Sequence, residues 1–390
     1  MVTGHLQEKS GRYYIVLNLK GANNRWKPKW IATGLPTKGN KKRAEAMLHE
    51  TIKEYEARAA SEEKNPAEIL FSDYMLGWLE LIRGSVEETT FATYNRIVRN
   101  QIVPYYAKLG ITLSNLQPKH IQSYYTHLTS SGKVHAATIR RHHANIRKAL
   151  QQAVKTDMIL SNPADKVVKP KVPPYVAGFY NDAELNLLLE KVKGTSLELP
   201  IIITAFYGLR RGEVLGLKWS AIDFKNKTLI ISHTVTEIND EEGKTVIIQK
   251  DRTKNKSSFR TLPLVPQVEE ALLRKKRQDE EYRGVCKKSY SRKFTDYVFV
   301  NEIGELIKPH YLTSGFPHFL EKCGMRRIRF HDLRHSCASL LLKAGANMKE
   351  IQEWLGHSNY STTANIYAHL DSISKQNAAN AISSTLLVHE

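Results

Sequence analysis

Arg329-Phe-His-Asp-Leu-Arg-His-Ser-Cys-Ala-Ser-Leu-Leu-Leu-Lys-Ala-Gly345 is the stretch from which the C-terminal half of this chain is read. Leu333, Cys337, Leu340, Leu341 and Ala344 recur at helical spacing and Gly345 supplies a stop, so the stretch reads as a helix with one apolar stripe. His331 and Arg334 are three apart and therefore neighbours at its start. Arg334 lies close to the stripe, where an unpaired cation is costly. It calls for an anionic partner, and a carboxylate within the fold or a bound phosphate would each serve.

Three further clusters lie around this helix. Upstream, Tyr207-Gly-Leu-Arg-Arg-Gly-Glu-Val-Leu-Gly-Leu-Lys-Trp219 sets two arginines between Gly208 and Gly212, after an apolar helix over 197–207 and before the next helix. An arginine there is either a surface ion-pair residue or a planar fork of donors for a phosphate. Strands are expected near 228–236 and 244–250. Thr253-Lys-Asn-Lys-Ser-Ser-Phe-Arg-Thr-Leu-Pro-Leu264 then reads as a hairpin whose loop carries Lys254 and Lys256. Such a lysine is either simply solvated or an ammonium able to protonate a leaving oxygen. Downstream, in Ile351-Gln-Glu-Trp-Leu-Gly-His-Ser-Asn-Tyr-Ser-Thr-Thr-Ala-Asn-Ile-Tyr-Ala-His369, one helix ends at Gly356. Ser361 or Thr362 can cap the next, which contains Tyr367; a weak tail helix is expected over 372–390.

The N-terminal half has a different texture. From Lys9 to Arg43 there are ten Lys or Arg and no Asp or Glu. Strand formers fill 12–20, a turn follows at 21–24, Trp26 to Thr33 is extended, and 4–8 can add a third strand. A helix over 41–60 backs this small sheet. Residues 61–66 read as a linker, and from about 67 to 168 the pattern is helical. Its apolar stripes are Phe71, Tyr74, Met75, Trp78 and Leu79; Tyr94, Ile97 and Val98; and Ile121, Tyr124, Tyr125 and Leu128. A helix over 136–156 turns Ile139, Ile146, Ala149, Leu150 and Ala153 inward. Its polar face is expected to hold Arg140, Arg141, His142, His143, Arg147 and Lys148 as a basic surface; adjacent histidines on a helix do not share a metal. A second linker, 166–174, carries three prolines.

Composition narrows the partner. The chain has 390 residues and a formal net charge of +19, with pI near 9.6. Such a surplus favours a polyanion, because each neutralised phosphate releases a condensed counterion. The three cysteines form neither a disulfide framework nor a metal site. No apolar stretch approaches the length of a membrane span, and no secretory pattern opens the chain. A cytoplasmic, nucleoid-associated protein is expected.

Taken together, the clusters resemble the motifs of the tyrosine recombinase (phage-integrase) family. The Gly-Leu-Arg box, the lysine segment before Arg-Thr-Leu-Pro, His-x-x-Arg-His, Leu-Gly-His-Ser and the late tyrosine stand in that family's order, with a ten-residue step from His357 to Tyr367. The layout is similar to integrases of conjugative transposons and temperate phages. The resemblance implies a multidomain α+β chain. Residues 1–60 are expected to form an arm-type DNA-binding domain with a small basic β-sheet. Residues 67–165 would be an all-α, SAM-like core-binding domain. Residues 175–390 would be a mixed, mainly α catalytic domain with a small antiparallel sheet and a C-terminal tail.

Carried over residue by residue, the resemblance makes Arg210 and Arg334 the clamps on the scissile phosphate and His331 the acid/base. His357 becomes a second phosphate-contacting imidazole, Lys254 the leaving-group acid and Tyr367 the nucleophile. Asn255 stands where a Thr is common in relatives, and Lys250 and Lys256 compete with Lys254. Arg211 competes with Arg210, although the place directly after Gly-Leu favours Arg210; Glu213 matches an acidic position that supports the arginine.

These roles are physically reasonable. A pentacoordinate phosphorane gains most from fixed cationic donors, each typically worth roughly 3 to 4 kcal/mol. A phenol with reference pKa near 10 needs a base or a cationic pocket, and His331 is expected to titrate in the useful range. No cofactor, metal or ATP is implied. The expected partners are double-stranded DNA at core-type and arm-type attachment sites and a homotetramer on that DNA, with an excisionase or host DNA-bending protein as accessories. Arg12, Arg25, Lys27, Lys29, Arg140, Arg141 and Arg147 are the candidate DNA contacts. Two alternatives remain open from the sequence: a topoisomerase-like nicking-closing enzyme, and a DNA-binding protein without catalytic activity.

Overall fold

A computed structural model describes residues 3–20, 26–62, 68–132, 134–173, 178–251, 259–358 and 382–383. The chain divides into two compact units, Met1–Val172 and Pro173–Glu390. Lys254, Tyr367 and Arg25 lie outside the described residues, as do the expected turn at 21–24, the expected caps Ser361 and Thr362, and nearly all of the expected tail helix.

In the first unit, β1 (Thr3–Lys9), β2 (Arg12–Lys20) and β3 (Trp26–Pro36) form an antiparallel sheet in the order β1-β2-β3, backed by α1 (Lys41–Glu62). Ile15, Val16 and Leu17 are buried with Ala44 of α1. Then come α2 (Phe71–Ile82), α3 (Glu88–Ile97), α4 (Val103–Leu109), α5 (Pro118–Ser130) and α6 (Ala136–Lys155) around a core of their own. Every residue of the first and third expected stripes is buried there. One feature escaped the periodicity: Val98–Ile102 is a π-helical turn joining α3 to α4.

The face of α6 requires a correction. His142 and His143 are buried, not solvated with Arg140 and Arg141. His142 Nδ1 lies 2.8 Å from the Tyr124 hydroxyl, and His143 Nδ1 lies 2.9 Å from that of Tyr125. Two adjacent tyrosines on α5 thus meet two adjacent histidines on α6. A phenol brought into a core must keep a hydrogen-bond partner, and the imidazoles provide it. Burial, then Arg96, lowers His142 to about 4, so its ring enters the core neutral.

The second unit opens with α7 (Asp182–Lys191), α8 (Glu198–Tyr207) and α9 (Arg211–Leu215). Strands β4 (Ile222–Asp223), β5 (Thr228–Ile231), β6 (His233–Asn239), β7 (Thr245–Asp251) and β8 (Arg260–Pro263) follow. Helices α10 (Pro266–Cys286), α11 (Pro309–Lys322), α12 (Asp332–Lys343) and α13 (Met348–Leu355) complete it. Helix α8 lies in the main core, with Ile201, Ile203 and Tyr207 fully buried.

Two strand expectations change. The single strand expected over 228–236 breaks at Ser232 into β5 and β6, which belong to different sheets. The cause is α9, which rests on β6: a Cβ at Gly216 would sit 2.6 Å from His233 O, and one at Gly212 would sit 3.1 Å from Val235 O. Residues 233–235 are consequently all buried, which an alternating strand would not allow. Nor do the strands flanking the lysine segment pair as a hairpin: β7 pairs with β6, whereas β8 pairs with β5, and residues 252–258 lie outside the described residues. Among the described residues no helix is long and apolar enough to cross a membrane.

Candidate active site

The site is built on the end of α13. An Asn347–Glu350 capping box starts this helix, and Gly356, at φ +69°, ends it in the left-handed conformation that glycine adopts most cheaply. The last carbonyls of a helix have no partner within it and carry the negative end of its dipole. Here three consecutive ones are each met by a different guanidinium. Arg260 Nε donates to Trp354 O at 2.9 Å, Arg334 Nη2 to Leu355 O at 2.8 Å, and Arg210 Nη2 to Gly356 O at 2.9 Å.

Each arginine comes from a distinct element. Arg210 is the residue before α9, set by Gly208, whose φ of +60° ends α8. A side chain at Gly208 would also collide with Leu355, since its Cβ would lie 2.3 Å from Leu355 Cδ2. Arg334 sits in the first turn of α12, which Arg329 and the buried Asp332 fix by an ion pair of 2.7 Å. Arg260 opens β8, on the same face as Leu262. Glu213, wholly buried, joins two of them, at 2.8 Å to Arg210 Nη1 and 3.1 Å to Arg260 Nη2. Burial alone would raise this carboxyl, yet Arg260 and Arg210 hold it down at about 2. Arg211 turns away, to Thr313 and toward Glu237.

Arg334 is 1% exposed, and of the two partners open to it from the sequence the carboxylate is not the one the fold supplies. Its hydrogen bonds run to two helix-end carbonyls, Gly208 O (2.6 Å) and Leu355 O, and to His357 Nε2 (3.2 Å), not to a carboxylate. Burial, then the charge of Arg210, lowers its pKa, with Glu213 opposing; a guanidinium nevertheless stays protonated. Three of its five N–H groups are thus engaged among the described residues.

The imidazoles also depart from expectation. Burial, then Arg334 and Arg210, lowers His357 to about 3. Shielding of the ring from water, then His335 and Arg334, lowers His331 to about 4, although the residue as a whole is exposed. This direction is opposite to the near-neutral titration expected of His331. Both rings are neutral at pH 7, because burial first, and then the neighbouring imidazole and guanidinium groups, disfavour the protonated form. The rings of His331 and His335 meet edge to face with centroids 5.5 Å apart.

Arg210, Arg334, His331 and His357 are therefore brought together, with Arg260 and His335 among them. Arg260 received no role from the sequence. Its signal was the period of two in β8, which puts a charge on the face of Leu262 and demands a buried carboxylate. Among the candidate DNA contacts, Arg12, Lys29, Arg140, Arg141 and Arg147 are exposed. Lys29 Nζ stands 5.2 Å from the centre of the Tyr55 ring, and Arg147 pairs with Asp165 at 2.6 Å. Nothing is described of the Lys27 side chain.

An arginine-and-imidazole corner on a mainly helical fold with small antiparallel sheets fits a phosphate-handling site, and the family comparison gives its class. The chain belongs to the phage integrase family and is a site-specific tyrosine recombinase: the phage integrase family matches residues 182–373, and its N-terminal SAM-like domain matches 70–129. It is similar to a XerC-like tyrosine recombinase of Caldanaerobacter subterraneus, with 32% identity over 84% of this chain and 88% of that protein. The ICEBs1 integrase of Bacillus subtilis is 24% identical over 70% of this chain and 72% of its own. In fold the chain is similar to the Tn1549 transposon integrase, with TM-score 0.65 and 21% identity, over 80% of this chain and 99% of that one. It is also similar in fold to lambda integrase, with TM-score 0.54 and 14% identity, over 93% of both chains.

Proposed function

We propose that this recombinase is the integrase of a mobile element, and that it cuts and rejoins double-stranded DNA through a 3′-phosphotyrosine at Tyr367. The observation that carries the reading is the convergence of Arg210, Arg334 and His357 at the end of α13, with His357 ten residues before Tyr367. The relatives support it: the ICEBs1 protein is named an integrase, and the Tn1549 integrase was solved with circular intermediate DNA.

Arg210 and Arg334 grip the non-bridging oxygens of the scissile phosphate. Neutral His331 is a base able to take the Tyr367 proton, and His357 adds a contact to the phosphate. The phenol oxygen attacks phosphorus, the bond to the 5′ oxygen breaks, and Lys254 gives that oxygen its proton. The phosphotyrosyl ester keeps the energy of the broken diester, so a 5′-hydroxyl of the partner duplex reverses the step without ATP. Four protomers act in two rounds through a Holliday junction. Residues 1–60 bind arm-type sites and 67–165 core-type sites, with Arg12, Arg25, Lys27, Lys29, Arg140, Arg141 and Arg147 on phosphates. An excisionase or host DNA-bending protein sets direction, and the protein works in the cytoplasm at the nucleoid.

The test is a nicked suicide substrate carrying the attachment-site core. The wild-type protein should form a covalent DNA adduct that Tyr367→Phe does not. Equal absence of adduct from both would return the reading to a non-catalytic DNA binder. Relaxed but unrecombined products from two attachment-site plasmids would favour a nicking-closing enzyme.

A further inference from the structure

His335 stands one helical turn after His331, so the two rings share a face at the start of α12. Side chains on a helix lean toward its N-terminus, which carries the His335 ring back over the turn of His331. There the rings meet edge to face, with centroids 5.5 Å apart. His335 is half-buried, yet its Nδ1 is shut away from water and has no hydrogen-bond partner among the described residues. An orphaned buried nitrogen is costly. A phenyl ring would pack against His331 without that cost, so the nitrogen needs a reason.

The surroundings of His331 supply one. A neutral imidazole bears its single ring proton on either nitrogen, and only the bare nitrogen is a base. Which one is bare is set by an acceptor that holds the N–H of the other. The charged and titratable groups about His331 are His335, Arg334, Asp332 and Arg329, with His357 beyond them. The two guanidiniums are donors with no acceptor capacity. The Asp332 carboxylate is turned to Arg329: Oδ2 takes the backbone N–H at 2.8 Å and Oδ1 takes Nη2 at 2.7 Å. His357 Nε2 already accepts from Arg334. Among these side chains the acceptor left over is Nδ1 of His335. Burial, with Asp332 opposing and Arg334 and Arg329 assisting, lowers the pKa of His335, so its ring is neutral at pH 7 and one of its nitrogens can accept.

We propose that His335 is a positioning residue for His331: its Nδ1 accepts the His331 ring N–H, which fixes one tautomer and leaves the opposite nitrogen bare to act as the base. The proposal rests on the reading of His331 as that base. In the DNA-free structure the ring planes stand at 87° and this hydrogen bond is open. The χ2 torsion of a histidine is broad, so a turn of either ring closes it at little cost. Catalytic hydrogen bonds of this kind tighten when the substrate is bound. The bare nitrogen then takes the phenol proton, the imidazolium keeps its other N–H on His335, and the proton returns to the phenol oxygen when the step reverses.

The test joins nitrogen NMR of the histidine-labelled full chain to single-turnover cleavage of the nicked suicide substrate. His335→Phe keeps a ring over His331 and removes the acceptor, whereas His335→Asn sets an amide oxygen in the place of Nδ1. On an uncleavable core site at pH 7, His331 should show one tautomer in the wild-type chain and in His335→Asn. In His335→Phe it should show a mixture of two. His335→Phe should form the covalent adduct roughly 10- to 100-fold more slowly with its Tm not lowered, and His335→Asn should stay near the wild-type rate. A mixture in the wild-type chain overturns the proposal, as does a single tautomer or an unslowed rate in His335→Phe. Equal losses in both variants, which a merely structural role would give, overturn it too. His331→Ala separates the two readings. If it cleaves at the wild-type rate, the base assignment falls and this inference with it; if it is slow and His335→Phe is not, only the positioning role falls.

Discussion

Arg334 donates its Nε–H to Nε2 of His357 across 3.2 Å, which makes that nitrogen an acceptor and places the imidazole proton on Nδ1. A ring held in this way cannot take a second proton without losing its bond to a buried guanidinium.

The first prediction concerns acid. His357 is held at about 3 in the folded protein, against a reference of 6.5. Between these values the unfolded chain binds a proton that the folded one refuses, so stability rises with pH across the window and is lost on acidification. The full swing for such a ring is up to roughly 5 kcal/mol. His357→Gln keeps an acceptor for Arg334 without the titrating group, and it should flatten the fall in denaturation midpoint between pH 6.5 and pH 3. An unchanged slope would locate the acid sensitivity elsewhere.

Glu213 is a buried anion shared by two buried or half-buried arginines. Glu213→Gln removes the charge and leaves Arg210 facing Arg260. Breaking a buried pair of this kind costs about 3 to 5 kcal/mol, or a fall in Tm of roughly 10 °C for a domain this size. Thermal melting checks this, and a loss under about 1 kcal/mol would mean the pairs behave as surface ones.

Gly216 marks a contact between backbones. Its Cβ would sit 2.6 Å from both His233 O and Thr234 Cα, so neither rotamer change nor a flexible tip can relieve the clash. Gly216→Ala should destabilise by about 1 to 3 kcal/mol, as an overpacked core does, and should loosen the arginine helix from β6. Gly243→Ala, at a turn with no atom near its Cβ but φ +82°, is the comparison: its cost is local strain with no effect on cleavage.

Arg260 tests whether the α13 end must be held by all three cations. Arg260→Lys keeps a positive charge beside Glu213 but cannot reproduce the fork that joins Glu213 to Trp354 O. Covalent-adduct formation should fall by up to roughly 100-fold while DNA affinity stays near wild type. A matching loss in DNA binding, measured on an uncleavable site, would make Arg260 a DNA contact instead.

The sequence revealed much of this where pattern and chemistry coincide. The stripes of α2 and α5 and the end of α13 at Gly356 are where periodicity and left-handed glycine place them. What was hidden depended on contacts between distant segments. His142 and His143 look like part of a basic face until Tyr124 and Tyr125 supply the partners that let them be buried. The break at Ser232 follows from α9 lying on β6, and nothing within 228–236 announces it. Arg334 was legible as a cation in need of partners. That two of them would be helix-end carbonyls, and that Arg260 would share the same end, required the assembled fold.

The grip of Arg260, Arg334 and Arg210 on three successive carbonyls also fixes a starting point for the segment that carries the proposed nucleophile. Whatever path the chain takes after His357, it departs from an anchorage shared with the residues proposed to hold the phosphate. Ten residues of backbone span at most about 35 Å, so that distance is the radius within which the backbone of Tyr367, the proposed nucleophile, can be placed. Lengthening or shortening this tether by one or two residues would change which scissile phosphate, its own protomer's or a neighbour's, lies within the circle.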